Sequence, residues 1–139
     1  MALRDHTRVG IGANVLIYLA EDRGLWAERA EELFTEIEKR HIAPICSALV
    51  AIELLQHPLR QGNEKMVQEY QRILFTESEI QFVNITIPVA VHAATLAAQY
   101  RLKTPDAVHL ACALEGGATA FVTADKGIKG IKELEIIQL

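Results

Sequence analysis

Short apolar runs and helical stripes alternate along this chain, and the period of the apolar positions marks most of its elements. Residues 9–12 read as a short strand and 13–20 as a mostly apolar helix. Over 25–39, Leu25, Ala30, Leu33, Phe34 and Ile37 share one face with charges opposite, which predicts an amphipathic helix. The stretch IAPICS (42–47) is strand-like and leads into a helix over 48–56, with Ser47 as N-cap and Pro58 as the stop. Asn63 is placed to cap a helix over 64–75, whose stripe is Met66, Val67, Tyr70, Ile73 and Leu74. IQFVNI (80–85) alternates as a strand. Thr86 and Pro88 open a helix that reaches about Tyr100. Pro105 starts another, capped by Thr104 and ended at Gly116 and Gly117. Residues 118–125 form a buried strand and 134–139 a final one.

Strands alternating with helices on short connections predict a three-layer α/β/α fold with a central, mainly parallel sheet. The helix-rich stretch 25–75 is expected to include a helical hairpin outside those layers. With 139 residues, no repeat and no linker, residues 1–139 read as a single domain that buries a core without disulfide or metal staples.

Charge narrows the partners. The net charge is -4, so a nucleic-acid surface on this chain must be a local patch or one assisted by a metal ion. Cys46 and Cys112 sit among apolar residues without metal-ligand spacing and read as buried, reduced thiols. No apolar run is long enough to span a membrane, and MALRDHTR lacks the apolar stretch of a signal peptide, so a cytoplasmic location is expected.

Three carboxylates stand out. Glu53 is the single charge in ALVAIELL, where an apolar helix is expected to be buried and an ionised group is costly unless paired or metal-bound. Its plain alternative is a residue at the helix rim facing water. Asp106 falls in the first turn of TPDAVHLACA, where acids are favoured by the helix dipole alone. Asp125 follows the apolar run TAFVT, at the strand end where open α/β sheets place their sites, and also suits a turn before Lys126 and Gly127. The α/β order can bring all three to one sheet edge. Carboxylates about 5 Å apart repel by roughly 3 kcal/mol at an effective dielectric of 20, so such a cluster needs raised pKa values or a divalent cation. Oxygen-only donors favour Mg²⁺ or Mn²⁺, and acidic clusters holding these ions carry out phosphodiester chemistry.

With these motifs the sequence resembles the PIN-domain family, and most closely the VapC-type toxins of type II toxin–antitoxin systems. The resemblance is carried by VGIGANVLIYLAED, by SALVAIELLQ around Glu53, by KTPDAVHLACA around Asp106 and by FVTADKG around Asp125. It runs from Val9 to the last strand. It implies a metal-dependent endoribonuclease that forms a homodimer and is inhibited by a small antitoxin. On that resemblance Asp106 and Asp125 would ligate Mg²⁺ (or Mn²⁺), and Glu53 would complete the catalytic pocket by holding a metal-bound water or a second ion. Asn14 and Thr123 would orient the carboxylates by hydrogen bonds. Thr123 reads equally as a β-branched strand residue and Asn14 as a helix N-cap.

The departure lies at the family's first acid, where this chain has Gly12. Asp5 precedes the strand and Asp22 lies beyond the next helix, so neither substitutes obviously. Weaker metal binding and impaired RNA cleavage are the expected results. The alternative is a PIN-like binding module, without cleavage, for RNA or an antitoxin. A third, an unrelated nucleotide-binding α/β protein, lacks any P-loop or G-x-G-x-x-G match. His109, three residues after Asp106, shares its helix face and reads first as a hydrogen-bonded helix histidine, with a metal or general-base role as the alternative. Lys103, Lys126, Lys129 and Lys132 fall near the acids, either as RNA phosphate contacts or as a solvated face.

Overall fold

A computed structural model describes residues 3–21 and 24–139. Its elements run β1 (Arg8–Ile11), α1 (Ala13–Glu21), α2 (Gly24–Lys39), β2 (Ala43–Ser47), α3 (Leu49–Arg60), α4 (Glu64–Tyr70) and a π-helical segment (Gln71–Glu77). β3 (Gln81–Val83), α5 (Ile87–Tyr100), α6 (Thr104–Glu115), β4 (Ala120–Thr123) and β5 (Glu135–Gln138) follow. The strands form one five-stranded sheet in the order β3-β2-β1-β4-β5, and every neighbouring pair is parallel.

Alternation along the strands separates two apolar cores. Val9, Ile11, Ala120 and Val122 pack with Val15, Leu16, Leu33 and Val50 on the face of α1, α2 and α3. Phe121 and Ile45 point the other way, to Val89, Leu96 and Leu110 of α5 and α6. This is the expected three-layer arrangement, with the mainly parallel sheet parallel throughout. α3 and α4 pack on one another.

Several local expectations change. α3 runs through Pro58 to Arg60 instead of stopping before it. Pro58 sits in the last turn, so it removes only one late amide donor, and it is buried. α3 is not buried all round: Ile52 is 56% and Leu59 61% exposed. Ser47 ends β2 and Ala48 takes the cap position, yet the Ser47 hydroxyl still accepts from the Leu49 N–H at 3.0 Å. Thr104 is the first helical residue of α6 rather than its cap, and no side chain caps that end. Asn63 and Thr86 do cap, accepting from the Met66 and Val89 amides.

The helix expected over 64–75 changes at Gln71 to the wider π turn. That spacing puts Tyr70, Leu74 and Phe75 on the core side. Of the rest of the predicted stripe, Val67 is half-buried, while Met66 is 39% and Ile73 45% exposed.

Candidate active site

The strand order fixes where a site belongs. β2 and β3 lie to one side of β1, and β4 and β5 to the other, so the chain reverses direction across the sheet between β1 and β4. Ligands of open α/β sheets bind outside the carboxyl ends of the strands at such a switch point. A cleft of about 150 Å³ opens there, and Gly12, Asn14, Glu53, Asp106, Thr123 and Asp125 all line it. Phe121, Ile17 and Ile128 supply apolar walls. All three sequence-predicted carboxylates therefore share one cleft, delivered by α3, α6 and the turn after β4. Asp5 is exposed ahead of β1 and outside the cleft lining, and Asp22 lies outside the described residues.

The carboxylates feel one another. Burial raises the pKa of Asp106, and the negative charge of Asp125 raises it further, with Glu53 adding in the same sense. His109 and Lys103 pull it down. The net upward shift means that burial and like-charge repulsion outweigh the local cations.

Each acid is held differently. Asp125 Oδ1 accepts from the Gly127 N–H at 2.8 Å, and its own N–H donates to Thr123 Oγ1 at 3.0 Å. Thr123, only 1% exposed, thus shapes the turn that carries Asp125 without touching the carboxylate. Asn14 is not a helix cap. Its Oδ1 lies 3.4 Å from the Ala124 N–H, so it ties α1 to the chain just before Asp125. Glu53 pairs through Oε1 with Nε2 of His109, across from α3 to α6. His109 is only 6% exposed, and its Nδ1 is buried with no hydrogen-bond partner among the described residues.

His109 is the one residue of the cleft whose role sequence reasoning underplayed. Its spacing from Asp106 located it on the right face. Its bond to Glu53 spans 56 residues, and no local pattern carries that.

A side chain at Gly12 would fit closely. A Cβ there would meet Asn14 Oδ1 at 3.1 Å and the Val122 carbonyl oxygen at 3.3 Å, so the Asn14 amide must turn aside and the β4 backbone must give by a few tenths of an ångström. The Gly12 N–H donates to Val122 O at 2.9 Å, which fixes this turn against β4.

The donor set can be tested against a divalent cation. Among the described residues, no group of three or more His, Cys, Asp or Glu stands ready to hold a metal ion. One oxygen of Glu53 is engaged by His109, one oxygen of Asp125 by Gly127, and Gly12 offers no side chain. Asp106 and the second oxygens of Asp125 and Glu53 are left. Mg²⁺ is commonly held by one or two carboxylates together with waters and substrate phosphates, so this reduced set fits the ion. The cysteines are not alternatives: both are buried and unpaired, and burial pushes the Cys46 thiol up to about 12.

A sequence profile of the PIN domain matches residues 11–134. In fold the chain is similar to a toxin–antitoxin complex from Klebsiella pneumoniae, with 23% identity and a TM-score of 0.69 over 93% of this chain and 95% of that one. It is also similar to VapBC2 from Rickettsia felis bound to a DNA fragment from their promoter, with 14% identity and a TM-score of 0.71 over 94% and 98%. No curated protein sequence matches it.

Proposed function

Because the chain belongs to the PIN-domain family, we propose that it is a metal-dependent ribonuclease, the toxin of a toxin–antitoxin pair, with activity reduced at Gly12. The observation that carries this reading is the meeting of Glu53, Asp106 and Asp125 in one cleft at the switch point of the sheet. Asp106 and Asp125 would hold Mg²⁺ or Mn²⁺, which when bound activates water and offsets the charge of a phosphodiester. Thr123, through the Asp125 amide, and Asn14, through the Ala124 amide, keep the turn with Asp125 facing Asp106. His109 fixes the rotamer of Glu53. The antitoxin partner is supported by the similarity to structures of toxin–antitoxin complexes. A homodimer acting on cytoplasmic RNA completes the proposal.

A second reading is a PIN domain that binds RNA or an antitoxin without cleaving. Gly12 and the engagement of Glu53 by His109 favour it. One comparison separates the two: Mn²⁺-dependent cleavage of single-stranded RNA by the parent and by Gly12→Asp. The disabled-nuclease reading expects cleavage to rise at least about 10–100-fold, the usual effect of changes around a metal site. It also expects Asp106→Asn to abolish that gain. No gain in a folded Gly12→Asp protein selects the binding module.

A further inference from the structure

An acidic cleft repels a polyanion, so a ribonuclease of this kind needs cations beside it, and the chain as a whole is negative. Its lysines are unevenly spread: four of the six, Lys103, Lys126, Lys129 and Lys132, lie between residues 103 and 132. All four are exposed, and so is Arg101. Among the described residues none of these five is held in an ion pair.

They occupy two loops that the fold ties together. Arg101 and Lys103 form the turn between α5 and α6, three to five residues ahead of Asp106. The other three follow Asp125 in the connection from β4 to β5. The Tyr100 hydroxyl joins the loops, donating to Glu133 and accepting from the Lys132 N–H at 3.2 Å. Lys103 lies close enough to Asp106 to lower its pKa. Arg101 closes α5 in the left-handed region at φ 54°, a cap position where glycine is the usual residue. An arginine kept at a backbone cost points to a use for its side chain.

We infer that these two latched loops form a phosphate-binding rim, with Arg101, Lys103, Lys126, Lys129 and Lys132 gripping the backbone of a single-stranded RNA beside the acidic cleft. The inference rests on the ribonuclease reading for its ligand, but it concerns binding and not cleavage. Because the contacts go to phosphates, the rim sets affinity and position and reads no sequence.

The test is the salt dependence of binding, by fluorescence anisotropy, of a labelled single-stranded 2′-O-methyl oligonucleotide in EDTA. Removing one basic side chain that neutralises a phosphate is expected to lower the slope of log K against log salt by about 0.7. Removing all five (Arg101→Gly with the four Lys→Ala changes) is expected to lower it by about 3.5. Lys39→Ala/Lys65→Ala, which removes the other two lysines, is expected to leave the slope unchanged. Arg101→Gly alone relieves the left-handed backbone, so the slope should fall while the melting temperature holds or rises. A lower melting temperature with an unchanged slope would assign Arg101 a structural role and overturn its place in the rim. If the parent binds and the fivefold variant keeps its slope, the rim is wrong and the ribonuclease reading stands. If the parent binds no oligonucleotide, the rim falls together with the RNA-binding part of that reading.

Discussion

Asp106 occupies the first turn of α6, where the helix dipole favours an ionised carboxylate by about 0.3–1 kcal/mol. Its pKa is nevertheless raised, so burial and the charge of Asp125 win at this position. The folded protein holds the Asp106 proton more tightly than the unfolded chain does. Its contribution to stability is therefore fully present below the unfolded carboxylate range and lost as pH rises through the raised folded value. In EDTA near pH 7, Asp106→Asn is expected to be more stable than the parent, and the advantage should shrink as pH falls to about 4. Urea denaturation across that range checks it, and a less stable Asn variant at pH 7 would mean that the dipole and the neighbouring cations win instead. A glutamate locked by a histidine, an aspartate fixed by an Asx turn and a glycine closely faced by Asn14 and the Val122 carbonyl give the cleft three local characters.

Elements explain why two glycines two positions apart behave differently. Gly10 lies within β1, directly under α6, and a Cβ there would stand 2.6 Å from Ala113 Cβ and 2.7 Å from Phe121 Cδ1. Both neighbours are buried and neither is a flexible chain end. Gly10→Ala is therefore expected to destabilise the fold by about 1–3 kcal/mol, the cost of overpacking, measurable as a lower urea midpoint. A Cβ at Gly12, past the end of the strand, would meet the Asn14 amide oxygen at 3.1 Å and the Val122 backbone oxygen at 3.3 Å, close contacts but short of the overlap at Gly10. Substitution at Gly12 is expected to cost less than at Gly10, and the urea midpoint of Gly12→Asp checks that the probe is folded. The close contact at Gly10 also seats α6, and so Asp106, against the sheet.

At the scale of the whole molecule, the two cores are closed by parts of the chain far apart in sequence. Leu3 precedes every element yet is fully buried in the core on the α1 side. His6 follows it and bridges Thr119 at 2.7 Å and Glu135 at 2.6 Å, holding the first residues to the strands at the opposite end of the sequence. Leu3→Ala is expected to cost about 2–5 kcal/mol, as a buried leucine does, and thermal unfolding would show it. A change within about 0.5 kcal/mol, the range of an ordinary surface substitution, would mean that this segment does not close the core. In the sequence Leu3 is one apolar residue among polar ones, and nothing periodic marks it.

What the sequence determined by itself was everything encoded within one turn or one strand. Alternating runs marked the strands, stripes and caps marked most helices, local surroundings singled out Glu53, Asp106 and Asp125, and the family resemblance singled out Gly12. These are local because a strand or helix imposes its period on its own residues. Tertiary structure alone decided how the site is wired. It put His109 against Glu53, carried Asn14 to the Ala124 amide across 110 residues, and ran α3 through Pro58. It also turned the end of the 64–75 helix into a π segment by giving Tyr70, Leu74 and Phe75 a core to face. The physical reason is the same each time: the deciding partner belongs to another element, and only the packed sheet brings it near.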